Sequence, residues 1–382
     1  MNISGTEYRK RPCIVLPGQK RAIKENSEMK WNAVKIGEHT LNIPVIQGGM
    51  GIGVSRCRLA GAVAKEGGMG VISAAQIGYD DPDFRKDPEA ANLRALRAHI
   101  ARAREISEGN GMIAVNLMAV TQLYGDYVRV CAEAGADAII SGAGLPSHLP
   151  KYAKNGDICL APIVSSEKSA RVILKTWDRK YQRTADFLVI EGPLAGGHLG
   201  FSQEELEQAL SLNYDEEIRK ILRVRDSFAE KYGRRIPVFS AGGIFSAEDV
   251  RHQIDIGCDG VQVGSRFVAT EECDASPEYK QAYIEAGEED IAIIKSPVGM
   301  PGRALRNAFI ERVNRGGEKI SWCFNCLKAC NPKTADYCIT QALIDAVRGD
   351  RQNGLFFCGA RVGEIREITT VKELMKELAG TI

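Results

Sequence analysis

A chain of 382 residues that is 44% hydrophobic and 26% charged, with a formal net charge of +1, has the balance of a soluble globular protein. It carries no long basic or acidic block and no apolar run near the ~18 residues of a membrane span, which sets aside nucleic acid and membrane as partners. The polar segment Met1–Lys30 has no signal-like apolar core, so a cytoplasmic protein is expected, with its eleven cysteines reduced, metal-bound or catalytic rather than paired.

Residues 1–35 read as an N-terminal extension. Beyond them, short apolar runs alternate with longer amphipathic ones. The strand-like runs are Pro44–Gln47, Met69–Ser73, Met112–Leu117 and Asp137–Ser141, then Leu160–Val164, Phe187–Ile190, Pro237–Ser240 and Gly260–Val263. Continuous apolar runs of this length suit parallel strands buried on both faces. Helical patterns fill the gaps at Ser55–Glu66, Ala91–Glu108, Thr121–Glu133, Glu167–Thr176 and Ser246–Ile256. Eight such alternations predict a parallel α/β fold, closed or open. The closed (β/α)8 barrel, over 36–270, is favoured because polar and Gly-rich residues gather after the strands, the face where barrel loops build sites. An open doubly wound sheet is the alternative. A charged helical stretch, Gln203–Tyr232, is inserted after the sixth run. A lid-like segment (271–340) follows the eighth run, and C-terminal helices (341–382), ending in Thr370–Leu378, are expected to close the barrel.

Four Gly-rich segments fall after predicted strands. Gln47-Gly48-Gly49-Met50-Gly51 lets backbone approach a flat ligand, though it also suits any tight turn. Ser240-Ala241-Gly242-Gly243-Ile244 and Val263-Gly264-Ser265-Arg266-Phe267 follow adjacent strands, the two loops with which barrels commonly bind phosphate. Glu191-Gly192-Pro193-Leu194-Ala195-Gly196-Gly197-His198-Leu199-Gly200 sets a histidine among glycines, which offer it no side-chain packing. His198 is therefore expected to face a ligand and to transfer protons. His148, after Gly142-Ala143-Gly144, is a weaker candidate, better explained as a solvated loop residue.

Seven cysteines are scattered (Cys13, Cys57, Cys131, Cys159, Cys258, Cys273 and Cys358) and read as small buried hydrophobes. Cys323, Cys326, Cys330 and Cys338 are grouped. Their spacing suggests an iron–sulfur ligand set, with a four-cysteine zinc site as the rival and unligated thiols as the third reading.

Segments Pro44–Met50, Leu59–Gly70, Gly142–Pro146, Glu191–Gly200, Pro237–Ile244 and Gly260–Glu272 together resemble the nitronate monooxygenases and the related flavin-dependent enoyl-acyl-carrier-protein reductases. The resemblance runs from about residue 36 to 280 and is sharpest at Ala-Gly-Gly-His. It implies an FMN-binding (β/α)8 barrel. Gly49, Met50, Asn116 and Glu191 would surround the flavin and its ribityl chain, and Gly242, Gly243, Gly264 and Ser265 would hold the phosphate. Gly196, Ala241 and Gln262 complete the implied cofactor set, with Gly197 and His198 on the substrate side. Leu194 stands where many members are acidic, and Ser265 where threonine is common; the Gly-Ala-Gly segment leans to the reductase branch. The activities implied are oxidation of alkyl nitronates by dioxygen or NAD(P)H-dependent reduction of an enoyl thioester. From the cysteines comes a third reading, a flavin and iron–sulfur electron-transfer or redox-sensing protein with a ferredoxin-like partner. A homo-oligomer acting on a small molecule is expected.

Overall fold

The eight apolar runs become strands β1 (Val45–Gln47), β2 (Met69–Ser73), β3 (Met112–Met118), β4 (Ala138–Gly142), β5 (Cys159–Val164), β6 (Leu188–Glu191), β7 (Val238–Ala241) and β8 (Gly260–Val263). In this computed structural model, which describes residues 32–153, 158–208 and 213–381, all are parallel to their neighbours. β8 returns to β1 through Val261↔Val45, Gln262↔Ile46 and Val263↔Gln47, so the sheet is a closed barrel and not an open one. The expected extension lies, up to residue 31, outside the described residues, as does Cys13.

The apolar runs are continuous because each strand is covered twice. Val71, Met112, Ala114, Ile140, Val189 and Phe239 belong to a cluster inside the barrel, while Ile72, Ile113, Val115, Ile139 and Ile190 pack outward under the helices. The lower end is plugged by a hairpin, Val34–Ile36 paired with His39–Leu41, whose Val34, Ile36 and Leu41 join the interior cluster.

An aspartate before each of three even-numbered strands stitches the barrel at that same end. Asp137 accepts from Ile113 N–H at 2.7 Å, Asp186 from Leu160 N–H at 2.7 Å and Asp259 from Val238 N–H at 2.8 Å. Each satisfies a donor on the neighbouring odd strand and is charge-balanced by arginine: Arg104, Arg183 with Arg234, and Arg225 with Arg235.

The helices follow the sequence pattern within a few residues: Cys57–Lys65, Pro88–Ser107, Tyr124–Glu133, Glu167–Tyr181 and Ala247–Ile256. Ser166 and Ser246 start two of them with capping boxes. The inserted stretch forms helices Gln203–Glu207 and Tyr214–Tyr232, with 209–212 outside the described residues. At the end of the chain, Val371–Leu378 buries Val371, Leu374, Met375 and Leu378 against Leu59, Val63, Val45 and Val261, beside the β1–β8 seam. Among the described residues, no helix is long and apolar enough to cross a membrane.

One feature departs from the sequence expectation. Within 271–340, strands β9 (Ile291–Lys295) and β10 (Pro301–Leu305) form an antiparallel ribbon. The ribbon lies beside the barrel loops, and β10 pairs with Gly197–His198 through Gly302↔His198 and Arg303↔Gly197. The predicted Gly-rich loop is thus the third strand of a small sheet. Helices Pro277–Glu285, Ala308–Gly316 and Ile339–Val347 flank it in sequence.

Candidate active site

A cavity of about 280 Å³ opens at the C-terminal ends of the barrel strands. Its wall is made by the loops that follow them, together with parts of the segment after β8. Gly49 and Met50 come from the β1 loop, Asn116 from β3 and Glu191 from the end of β6. Gly196, Gly197 and His198 come from the β6 loop, Ala241, Gly242 and Gly243 from β7 and its loop, and Gln262, Gly264 and Ser265 from β8 and its loop. The structure therefore brings every residue expected at the cofactor or substrate into one cavity. His148 is not among them: it is exposed before a short helix, with Nδ1 3.3 Å from the Tyr181 hydroxyl.

The glycines differ in what they do. A Cβ on Gly49 would lie 2.3 Å from Asn116 Cβ, so glycine is required there for the β1 loop to cross the barrel mouth. Gly242 and Gly243 have φ of +97° and +78°, the left-handed region that glycine adopts without strain. A Cβ on Gly264 would meet only Met50 Sδ, at 3.9 Å; the open space there belongs to the cavity.

Ser265 Oγ accepts from Gly359 N–H at 2.9 Å, which ties the β8 loop to the chain near its end. Two residues on, the Arg361 guanidinium donates to the Gly243 carbonyl at 2.9 Å and to Asp249 at 2.7 Å, and stacks over Phe245 at 5.0 Å. A cation, paired with Asp249 and Glu364, therefore stands against the β7 glycine loop. Sequence reasoning missed it because Arg361 lies about a hundred residues beyond them, in a segment with no motif.

His198 is half-buried at the cavity edge. Its Nε2 is 2.8 Å from Ser296 Oγ, and its ring meets Phe357 edge-on at 4.9 Å. Arg303, buried within β10, donates to the Ala195 carbonyl and fixes the turn into the histidine strand. The histidine is thus held by packing after all, supplied by residues far away in sequence. Burial without a counter-charge pushes its imidazole down to about 4, so it is neutral at neutral pH. The same cause acts oppositely on Glu191, whose carboxyl is pushed up to about 8 and stays protonated.

The cysteine expectation is corrected. Among the described residues, no group of three or more His, Cys, Asp or Glu side chains is arranged to hold a metal ion. Neither the iron–sulfur cluster nor its zinc alternative at Cys323, Cys326, Cys330 and Cys338 is supported. The spacing does keep the thiols in one neighbourhood, where Cys326, Cys330 and Cys338 pack on one apolar cluster and feel one another electrostatically, but they are not arranged as a ligand set. Cys323 is exposed, its Sγ accepting from Asn325 N–H at 3.4 Å. Cys326 turns to the cavity, where the bridge Thr121↔Leu327 and the bond from Gln122 N–H to the Cys326 carbonyl hold its segment on the β3 loop. Cys338 precedes the helix Ile339–Val347. Of the scattered cysteines, Cys131, Cys159, Cys258, Cys273 and Cys358 are buried and Cys57 half-buried.

A family model described as nitronate monooxygenase matches residues 32–380. A Staphylococcus saprophyticus protein named probable nitronate monooxygenase is 24% identical over 345 residues, covering 85% of this chain and 89% of that protein. A Mycobacterium tuberculosis 5-hydroxy-7a-methyl-1-oxo-octahydroindene-4-carboxyl-CoA dehydrogenase is 26% identical over 273 residues, covering 72% of this chain; the match spans 66% of that relative's length. Among solved structures, FabK from Thermotoga maritima superposes with a TM-score of 0.67 at 27% identity, covering 88% of this chain and 91% of that one. A nitroalkane oxidase from Streptomyces ansochromogenes, 20% identical with a TM-score of 0.66 over 88% and 94% of the two chains, shares the fold.

Proposed function

From the premise that the chain belongs to the nitronate monooxygenase family of FMN-dependent oxidoreductases, we propose that it oxidises a small alkyl nitronate with dioxygen. The observation that carries this reading is the meeting, in one cavity, of the two glycine loops that follow β7 and β8 with a neutral histidine at the edge.

The cavity wall fits a single phosphate with a flat ring system. Gly242 and Gly243 offer backbone N–H groups, Gly264 leaves space that a side chain would fill, and Arg361 stands behind with its positive charge. Gly49, Met50 and Asn116 would border the ring, with Gln262, Ala241 and Gly196 completing the wall. When bound, FMN would supply the electron acceptor for the substrate and the site of reaction with dioxygen. Glu191, neutral below about 8, presents a hydrogen-bond donor rather than a second anion beside a phosphate-bearing ligand.

With Nε2 on Ser296, Nδ1 of His198 would be the ring nitrogen to meet a ligand. A neutral imidazole there holds a nitronate oxygen as donor, or takes a carbon-bound proton from the parent nitro compound as base. Val298, Leu327, Leu343 and Phe357 line the surrounding wall and favour an alkyl substituent.

The test is purification followed by absorption spectroscopy, cofactor release and oxygen-electrode assays with alkyl nitronates. A yellow protein releasing FMN and consuming dioxygen with nitronate supports the proposal. Recovery of FAD, or no oxygen uptake with any nitronate, would overturn it. A second reading, NAD(P)H-dependent reduction of an enoyl thioester, is favoured by Gly142-Ala143-Gly144 and by the apolar Leu194 on the cavity wall. Anaerobic NAD(P)H oxidation that requires an enoyl thioester would select it.

A further inference from the structure

A buried guanidinium without a counter-charge stands beside the cavity. Arg303, in the middle of β10, is 3% exposed, and it donates to the Ala195 carbonyl, a neutral acceptor. Among the described residues it makes no ion pair. Arg56, the other buried arginine, is by contrast held on both carboxylate oxygens of Asp80 at 2.7 Å. Cys358, whose N–H donates to the Arg303 carbonyl at 3.1 Å, is no substitute: burial pushes its thiol up to about 12, so it stays protonated. The neighbours of Arg303 are cavity wall. Ala195, Cys358 and its register partner Gly197 all line the cavity, and the adjacent pair Gly302↔His198 sets the histidine one residue along. Among the described residues lining the cavity, Arg361 is the one arginine or lysine, and it is already paired with Asp249 and Glu364. Glu191 is protonated and His198 neutral at neutral pH. The histidine side of the cavity therefore carries a positive potential that no described side chain cancels.

We propose that Arg303 is a positioning residue for an anionic substrate: its charge, acting across the loop from Ala195 to His198, makes this side of the cavity select a planar oxyanion over its neutral counterpart. It rests on the reading of the His198 side as the substrate end. A buried charge is costly until it meets an opposite one, and burial accordingly holds the guanidinium below its ordinary pKa without deprotonating it. A nitronate and a carboxylate each spread one negative charge over two oxygens in a plane, so either supplies the missing counter-charge, whereas a neutral nitroalkane or amide does not. Away from water the attraction is weakly screened, so it reaches a ligand that the guanidinium does not touch. Arg303 thus has two separable effects. Its hydrogen bond shapes the β6 loop, and its charge ranks the ligands that enter beside it.

Butanoate and butanamide, alike in size and shape but not in charge, test the second effect without turnover. Their binding is read from the flavin absorption spectrum of loaded protein and from the thermal unfolding of flavin-free protein. The wild type should bind butanoate about tenfold or more tighter than butanamide. Arg303→Gln keeps a donor for the Ala195 carbonyl and should abolish that preference while leaving butanamide affinity unchanged; Arg303→Lys, which keeps the charge, should retain it. Circular dichroism checks the fold of both variants. Equal affinity for the two ligands in the wild type would overturn the proposal even if Arg303→Gln failed to fold, and so would an undiminished preference in folded Arg303→Gln. If Arg303→Gln instead weakens FMN binding to flavin-free protein, leaves riboflavin binding unchanged and keeps the butanoate preference, the charge serves the phosphate and its assignment to the substrate fails. Absence of oxygen uptake with nitronates, alongside a butanoate preference that Arg303→Gln removes, would count against the proposed reaction and leave this inference standing.

Discussion

At the residue scale, His198 and Glu191 show one cause acting in opposite directions. Burial favours the neutral form of both, so the base loses basicity and the acid loses acidity. The pH profile follows. His198 becomes charged only as pH falls through about 4, and Glu191 ionises as pH rises through about 8. If both neutral forms are needed, kcat/KM should be level across the usual range of histidine titration, with an acid limb near 4 and a basic limb near 8. A limb near 6.5 would show that the imidazole is not held in this way. His198→Ala should keep FMN and lower turnover by ~10²–10⁴, read as kcat against flavin content. Gly264 is the residue with which to test the phosphate loops. Gly264→Val places its side chain in open cavity space and should abolish flavin binding with an unchanged circular dichroism spectrum. Gly243 is a poorer probe: its φ of +78° and a Cβ position 2.8 Å from Leu194 Cδ1 mean that substitution would strain the loop itself. The glycines and His198 were legible because adjacent residues announce them. Ser296, Phe357 and Arg361 were not, since each belongs to the site only through a contact with a residue far off in the sequence.

At the element scale, the barrel strands were readable because each must be apolar on both faces, which leaves an unbroken run such as Met-Ile-Ala-Val-Asn-Leu-Met in β3. The β9–β10 ribbon was not readable. β9 is half-buried over its four apolar residues and exposed at Lys295, and the sheet's third strand is the two residues Gly197–His198, too short for any periodic signal. The cysteine spacing carried less than it suggested for a related reason: spacing brings the thiols into one neighbourhood, while the bridge to the β3 loop and the start of a helix fix the backbone that would have to orient them. The aspartates that stitch the lower end of the barrel are testable in the same terms. Asp259→Ala leaves Val238 N–H without its acceptor and two arginines without their partner. It should lower the unfolding free energy by about 1–3 kcal/mol in urea titration. Since the substitution lies at the end opposite the cavity, flavin affinity should be retained.

At the scale of the whole molecule, the cavity wall draws on residues from Gly48 to Arg361, so the site needs both the first barrel loop and the segment that follows the barrel in place. Gly359 N–H on Ser265 and Arg361 on Gly243 tie the last part of the chain to the loops that follow β7 and β8. The terminal helix closes the β1–β8 seam beside them, with Arg266 paired to Glu377 at 2.6 Å. A ligand that fills this wall should therefore stabilise the chain as one unit rather than one loop. Binding only to the folded state at a free concentration a hundred times Kd adds about 2.7 kcal/mol. Thermal unfolding followed by tryptophan fluorescence and by circular dichroism should show one shared midpoint, raised by FMN and not by riboflavin at equal concentration, since riboflavin lacks the phosphate. Arg361→Ala should reduce that FMN-dependent rise, because it removes the charge behind the glycine loops and frees the Gly243 carbonyl. An equal rise with riboflavin, or a full FMN response in Arg361→Ala, would mean that the glycine loops are not where the phosphate sits.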